Sequence, residues 1–448
     1  MTRQALTMDA ALSVSAAAAE CPDALAVRTD SGDITYRELD RLVRAKRARL
    51  VRPAPGRPYL LDAVCELETF LTIYALWDEC IPVLLMQPGM TAAERSMLLA
   101  DIDAIKEPLP ADTAVVIFTS GTTGRPKPAM LSRSALIASA RSNARNLTLG
   151  PGDIWLMSIS CARIGGLSIL SRSLLARSAI ATARHFTPET FIKTLRDKQV
   201  TLASIVPTML VKALDAAPDW GPPPSLRSIL VGGASASDAL LKRARQRGFP
   251  IMTTYGMTET ASNVVTTPYE ERFEGAVGSG KCNADTAIKI IDGSIWVKGP
   301  MTMSGYWGHS THPSDAWFET GDIGRFDENG YLHVEARRSD LIVSGGNNVY
   351  PVEVENALEE IEGIERALVV GLPDDTWGAI VTALLVPSDD TPVDKYTLIA
   401  ALRTRLSGYK CPRRIAWVKD LPLRPGGKPD RRPEVLNGME LITLHYCA

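Results

Sequence analysis

The pattern of apolar and polar positions divides the chain into three regimes. Between residues 153 and 254, short apolar runs alternate with amphipathic segments. The runs at 154–159, 201–206, 226–231 and 251–254 read as strands. The segments at 166–179, 207–216 and from the Ser237 cap to Gly248 read as helices. Such alternation predicts an α/β domain with helices on a largely parallel sheet. After Pro268 the period shortens to two, and Asp292-Gly293 and Asn329-Gly330 each interrupt an apolar alternation, a strong hairpin signal. A small antiparallel, β-barrel-like subdomain is expected at 270–335. A charged link at 335–340 leads into a smaller α+β unit. Its strands fall at 341–343, 366–370, 379–386 and 414–418, and its helices at 351–360 and 394–406. Upstream, 34–50 reads as a helix behind the capping-box pair Thr35 and Glu38, and 134–147 as another. Residues 58–88 hold further apolar segments.

One apolar run ends differently from the rest. Residues 114–118 read as a covered strand and pass into Thr119, Ser120, Gly121, Thr122, Thr123, Gly124, Arg125, Pro126 and Lys127. Gly121 and Gly124 can take positive φ, four hydroxyls can donate, and two cations close the stretch. That is the chemistry of a polyphosphate cradle, although it lacks the G-x-x-x-x-G-K-[ST] spacing. With a helix expected at 134–147, the loop is predicted to sit at a strand-to-helix turn, where helix N-termini attract anions.

Length and charge narrow the function. A chain of 448 residues exceeds one compact core. A net charge of −2 argues against a nucleic-acid or membrane-surface role resting on bulk charge. No window reaches the length of a membrane span, and the N-terminus lacks a signal-like apolar region, so a cytoplasmic protein is expected. Seven scattered cysteines without C-x-x-C suit reduced thiols and not a zinc site.

Further stretches carry chemistry beside the glycine loop. Tyr255-Gly256-Met257-Thr258-Glu259-Thr260 follows an expected strand, and a carboxylate beside a phosphate cradle suggests a Mg²⁺ ligand at Glu259. Gly232-Gly233-Ala234-Ser235 offers exposed backbone and room for a flat ring. Asp322 can accept from two ribose hydroxyls. Gly345-Gly346 opens a second flexible loop, and Pro425-Gly426-Gly427-Lys428 puts a lone lysine on a loop tip.

In this order, these stretches resemble the acyl-adenylate-forming superfamily, which holds acyl- and aryl-CoA ligases, over about residues 26–432. The resemblance implies an enzyme that makes an acyl-AMP from a carboxylic acid and ATP, then passes the acyl group to a thiol. It also implies an N-terminal domain at 1–336, a hinge at 337–340 and a mobile C-terminal domain at 341–448. Thr119 to Gly124 and Lys127 match the triphosphate loop, and Thr258 and Glu259 the α-phosphate and Mg²⁺ positions. Gly233, Ala234 and Tyr255 match the adenine slot, Asp322 and Arg337 the ribose pair. Lys428 matches the catalytic lysine of adenylation, and Gly345 and Gly346 the loop along the coenzyme A tunnel. The acid pocket is expected near Arg163, Gly232 and Gly256.

The compressed N-terminal part and the stretch at 164–174 resemble the aryl-acid–CoA ligase branch, implying an aryl acid such as o-succinylbenzoate, an acid of menaquinone synthesis. Benzoate, salicylate or anthranilate, a separate carrier protein as acceptor, and a non-catalytic nucleotide sensor are the alternatives. ATP, Mg²⁺ and coenzyme A are the implied cofactors and co-substrates, and a homodimer is left open. Departures from the family pattern fall at Arg163, where an aromatic gate is usual, and at Ala336, Ser339 and Ala379.

Overall fold

The computed structural model describes residues 8–446 except 91, 121–125, 184–185, 235, 275–277, 310, 314, 338–339, 345–346, 375–376, 390–391, 407 and 425–427. The side chains at 8, 9, 93, 120, 337 and 348 are likewise outside the description. Gly121, Thr122, Thr123, Gly124, Gly345, Gly346 and Ser339 therefore lie outside the described residues, as does the side chain of Arg337.

The alternating stretch builds a nine-stranded sheet. Strands Ala179–Thr182, Ile154–Met157, Leu202–Ile205, Ser228–Val231 and Ile251–Met257 run parallel in that spatial order. The middle three are buried along their whole length, as strands covered on both faces must be, and Ala179–Thr182 is buried up to its last residue. Two elements escape the apolar pattern, strand Ala179–Thr182 and helix Pro188–Asp197. The expected helix at 166–179 ends at Ala176, where Arg177 takes a left-handed conformation, and the chain turns straight into that strand. Likewise Ile34 belongs to a short strand, Asp33–Thr35, with the helix Tyr36–Arg47 capped by the Thr35 hydroxyl.

A second, five-stranded sheet holds Tyr59–Asp62, Val83–Met86, Thr113–Ser120, Pro126–Ser132 and Gly305–Tyr306. Here the structure corrects an expectation. The glycine loop does not open a helix; it joins two antiparallel strands, with Thr119 opposite Lys127 and Ser120 opposite Pro126. The helix Arg133–Asn146 starts after the second of these strands, capped by the Ser132 hydroxyl. No helix N-terminus therefore follows the loop directly.

Both Asx-Gly turns are hairpins. They join Ala287–Ile291 to Ser294–Lys298 and Phe318–Phe326 to Leu332–Arg337 in a four-stranded antiparallel sheet. From Ile342 onward a fourth sheet forms around the long pair Ile364–Asp374 and Gly378–Pro387, covered by helices Pro351–Glu359 and Lys395–Arg405. Its buried side chains pack among themselves. Where this lobe meets the larger one, Glu359 accepts hydrogen bonds from Ser237 and the Ala367 amide, and burial pushes its carboxyl up to about 7. Among the described residues, no helix is long and apolar enough to cross a membrane.

Candidate active site

The carboxyl ends of the parallel strands bring separated motifs to one edge. Arg163 caps the helix after Ile154–Met157, Gly232 and Gly233 follow Ser228–Val231, and Tyr255 and Gly256 lie near the end of Ile251–Met257. Ligands of open α/β sheets bind at such an edge. Two glycines are demanded by the geometry. Gly233 has φ +78, and a Cβ on Gly256 would lie 2.1 Å from the Ser262 carbonyl oxygen. Gly256 thus lets strand Ser262–Thr266 close against its neighbour.

Directly after Met257 the chain makes a single 3₁₀ turn, Thr258–Thr260. Thr260, fully buried, fixes it: its hydroxyl accepts from the Met257 amide (3.1 Å) and contacts the Ser262 carbonyl oxygen (2.7 Å). The turn leaves Thr258 half-buried and buries Glu259. Tyr306 Oη donates to Glu259 Oε1 at 2.8 Å, and the same ring carries Lys127 Nζ 5.4 Å from its centroid. One tyrosine therefore ties the stem of the glycine loop to the candidate metal-ligating carboxylate. Strand pairing sets this up, because Tyr306 lies opposite Ala129, two residues beyond Lys127.

Beside it, Tyr255 Oη donates to Asp322 Oδ2 at 2.8 Å, and both residues are buried. The Asp322 amide donates to Thr320 Oγ1. Arg337 is register partner to Asp322 across the hairpin, so the two expected ribose residues are neighbours. Arg163 is half-buried, and burial lowers its guanidinium pKa. Ala234 is half-buried in the loop after Gly233.

Lys428 is exposed, on a loop closed by an isolated bridge between Leu423 and Pro429 and by the Arg424 amide donating to the Lys428 carbonyl oxygen (2.7 Å). The base of the loop is fixed by charge. Asp430 is paired with Arg432 and Arg424, which hold its carboxyl well below the usual range. Arg431 makes a bidentate pair with Glu355 (Nη2 to Oε2, 2.8 Å) and reaches Asp340 in the hinge link (3.9 Å).

Tyr306 and Thr260 were missed as functional residues from sequence. Thr260 lies inside the stretch Tyr255–Thr260, but its role is to shape a turn. Tyr306 sits in Gly305-Tyr306-Trp307, whose only signal was an aromatic pair after a glycine. Removing the Tyr306 hydroxyl frees one oxygen of a buried carboxylate. Such outer-shell losses typically weaken metal binding 10- to 100-fold. In Tyr306→Phe, half-maximal Mg²⁺ for acid-dependent pyrophosphate release is expected to rise about tenfold, which a Mg²⁺ titration checks.

The family model for AMP-binding enzymes matches residues 102–307, and that for the AMP-binding enzyme C-terminal domain matches residues 353–428. A 2-succinylbenzoate–CoA ligase of Listeria monocytogenes is 39% identical over 323 residues, 71% of this chain and 68% of the relative. The o-succinylbenzoate CoA synthetase of Bacillus subtilis, in complex with its acyl-adenylate intermediate, superposes with a TM-score of 0.81 at 29% identity, covering 93% of this chain and 96% of that one. The same synthetase with ATP and magnesium gives 0.80 at 30% identity, covering 93% and 98%.

Proposed function

The chain belongs to the AMP-binding enzyme family, and on that premise we propose that it joins an aryl carboxylic acid, o-succinylbenzoate, first to AMP and then to coenzyme A. The observation that carries this reading is the chain Lys127–Tyr306–Glu259 beside the Tyr255–Asp322 pair, a polyphosphate grip next to a nucleoside grip.

A carboxylate is a poor acyl donor because its leaving group would be oxide. In the first half-reaction the acid's carboxylate oxygen attacks the α-phosphorus of ATP, and the bond to pyrophosphate breaks. The attacking group is already an anion, so no general base is required, and the obstacle is repulsion between two anions. Each well-aimed donor or cation lowers that barrier by about 3–4 kcal/mol in a dry site. We assign this role to Lys127, the glycine-loop residues Thr119 to Gly124, Thr258 and Lys428. Gly233, Ala234 and Tyr255 form the adenine wall, and Asp322 with Arg337 holds the ribose. In the second half-reaction the coenzyme A sulphur attacks the acyl carbon and AMP leaves, with Gly345 and Gly346 lining the thiol's path.

Glu259 suits Mg²⁺, an ion that takes one or two carboxylates and completes its shell with water and substrate phosphates. Among the described residues, no group of three His, Cys, Asp or Glu side chains could form a closed protein cage instead. Bound there, the ion would neutralise charge on the phosphates. Residues 1–336 and 341–448 are proposed as the two domains, turning about 337–340, and a cytoplasmic enzyme is part of the same reading.

The test is pyrophosphate release across o-succinylbenzoate, benzoate, salicylate, anthranilate and short fatty acids, with and without coenzyme A. Release with o-succinylbenzoate alone, and thioester only when coenzyme A is added, is the expected result. No release with any acid would leave a nucleotide-binding sensor. Arg163, half-buried at the strand-end edge, is proposed to meet the acid's polar substituent. Arg163→Ala is expected to lower kcat/KM for o-succinylbenzoate about tenfold relative to benzoate, in line with a lost charged hydrogen bond. An unchanged acid profile would remove Arg163 from the pocket.

A further inference from the structure

Two cysteines far apart in sequence meet where the two large sheets meet. Cys65 lies between strand Tyr59–Asp62 and helix Leu67–Asp78, after a strand of the five-stranded sheet. Cys161 lies between strand Ile154–Met157 and helix Ile164–Ala176, after a strand of the nine-stranded sheet. Their contacts cross. The Cys161 amide donates to Cys65 Sγ at 3.2 Å, while Cys65 Sγ contacts the Ile159 carbonyl oxygen at 3.5 Å. Cys161 Sγ in turn contacts the carbonyl oxygens of Ala63 (3.4 Å) and Val64 (3.5 Å). Each sulphur thus sits against the backbone of the other's loop.

The pair is asymmetric. Cys161 is fully buried, whereas Cys65 is half-buried between exposed Val64 and Glu66. The neighbouring Cys161 side chain and amide hold the Cys65 thiol below the usual range, and the Cys65 side chain together with burial pushes the Cys161 thiol up. An accessible sulphur stabilised as thiolate is the reactive kind, and a neighbouring second thiol makes its oxidation reversible.

We propose that Cys65 and Cys161 form a redox-active dithiol, closed by hydroperoxides into a disulfide that staples the two sheets beside the acid-binding edge. The Cys65 thiolate attacks a peroxide oxygen; the S–O bond forms, the O–O bond breaks, and the departing oxygen leaves as water or alcohol after taking a proton. Cys161 sulphur then attacks Cys65 sulphur, the S–S bond forms, and the S–O bond breaks with loss of water. Two thiols and one hydrogen peroxide give one disulfide and two waters: sulphur is oxidised by two electrons and peroxide oxygen reduced by two. Drawing the two sulphurs into a bond would move the Cys161 loop, which leads into the tightly packed first turn of helix Ile164–Ala176. A Cβ on Gly166 would stand 2.3 Å from the Ser160 carbonyl oxygen. Arg163 lies two residues after Cys161.

The experiment treats the reduced full-length protein with a small molar excess of hydrogen peroxide, blocks remaining thiols, and maps disulfides by mass spectrometry. A linked peptide pair holding Cys65 and Cys161, removed by reductant and missing in Cys65→Ser, is the expected result. Cys65 is half-buried at the edge of the core and serine nearly keeps its size; circular dichroism and the melting temperature check that the variant folds. Cys65 and Cys161 both still alkylatable after the treatment, or Cys65 over-oxidised while Cys161 stays a free thiol, would overturn the proposal. The functional consequence rests on the acid-pocket reading of Arg163: KM for the acid rises about tenfold on oxidation, as misplacement by an ångström or less can cause, and returns with reductant. A mapped disulfide with an unchanged KM upholds the dithiol and counts against that pocket reading alone.

Discussion

Replacing Lys428 with alanine is expected to lower acid-dependent pyrophosphate release about 10²- to 10³-fold, the usual loss for one preorganised charge aimed at a developing anion. Transfer of the acyl group from a supplied acyl-AMP to coenzyme A is expected to stay within a few-fold of the unaltered enzyme. The asymmetry follows from the charges. In adenylation an anionic carboxylate closes on an anionic phosphate, and a cation between them removes the largest repulsion. In thioester formation the acyl carbon is already activated and AMP departs as a stabilised anion. Lys428 is exposed at the end of a side chain with several rotatable bonds, so its truncation should not unfold the lobe. Rapid-quench measurement of each half-reaction separates the two effects. Equal loss in both would remove Lys428 from its adenylation role.

How much of this was legible beforehand depends on whether the cause was local. Four of the parallel strands of the nine-stranded sheet, both Asx-Gly hairpins and most elements of the smaller lobe are written in runs of a few residues, and the structure has them within a few residues of the expected bounds. The glycine loop was singled out by its chemistry but expected on the wrong kind of connection. The residues after it, Pro126 to Ser132, carry two prolines and a lysine and hide a strand. What makes them a strand is pairing to Thr113–Ser120 on one side and to Gly305–Tyr306 on the other, the latter far away in sequence. The same non-local pairing brings Tyr306 to Lys127 and Glu259. No spacing rule could reveal that, because the three side chains come from separate stretches. Cys65 and Cys161 were read as scattered reduced thiols for the same reason, their meeting being a property of two packed sheets.

Glu355→Ala should cost the smaller lobe about 3–5 kcal/mol, the penalty for stranding a buried partner of an ion pair. Glu355 and Arg431 keep only 11% and 13% of their side-chain surface exposed, and their contact is bidentate. Glu355 Oε1 also accepts from the Val369 amide at 2.7 Å, so one truncation orphans a guanidinium and a strand amide together. Removing both partners with shape kept, as in Glu355→Leu with Arg431→Met, should cost far less, because no charge is left buried. Hydrogen exchange read by mass spectrometry over Ile364–Asp374 is the measure. A loss of 3–5 kcal/mol corresponds to roughly 10²- to 10⁴-fold faster exchange where that strand opens with the lobe. Exchange unchanged in Glu355→Ala would mean that the pair is solvated and contributes little. The consequence extends beyond stability, because Arg431 lies three residues after Lys428 and also reaches Asp340 in the hinge link. If the pair is what orients that loop, the double substitution should restore the exchange rate and still leave adenylation impaired. Recovery of both would make the pair a stabiliser only.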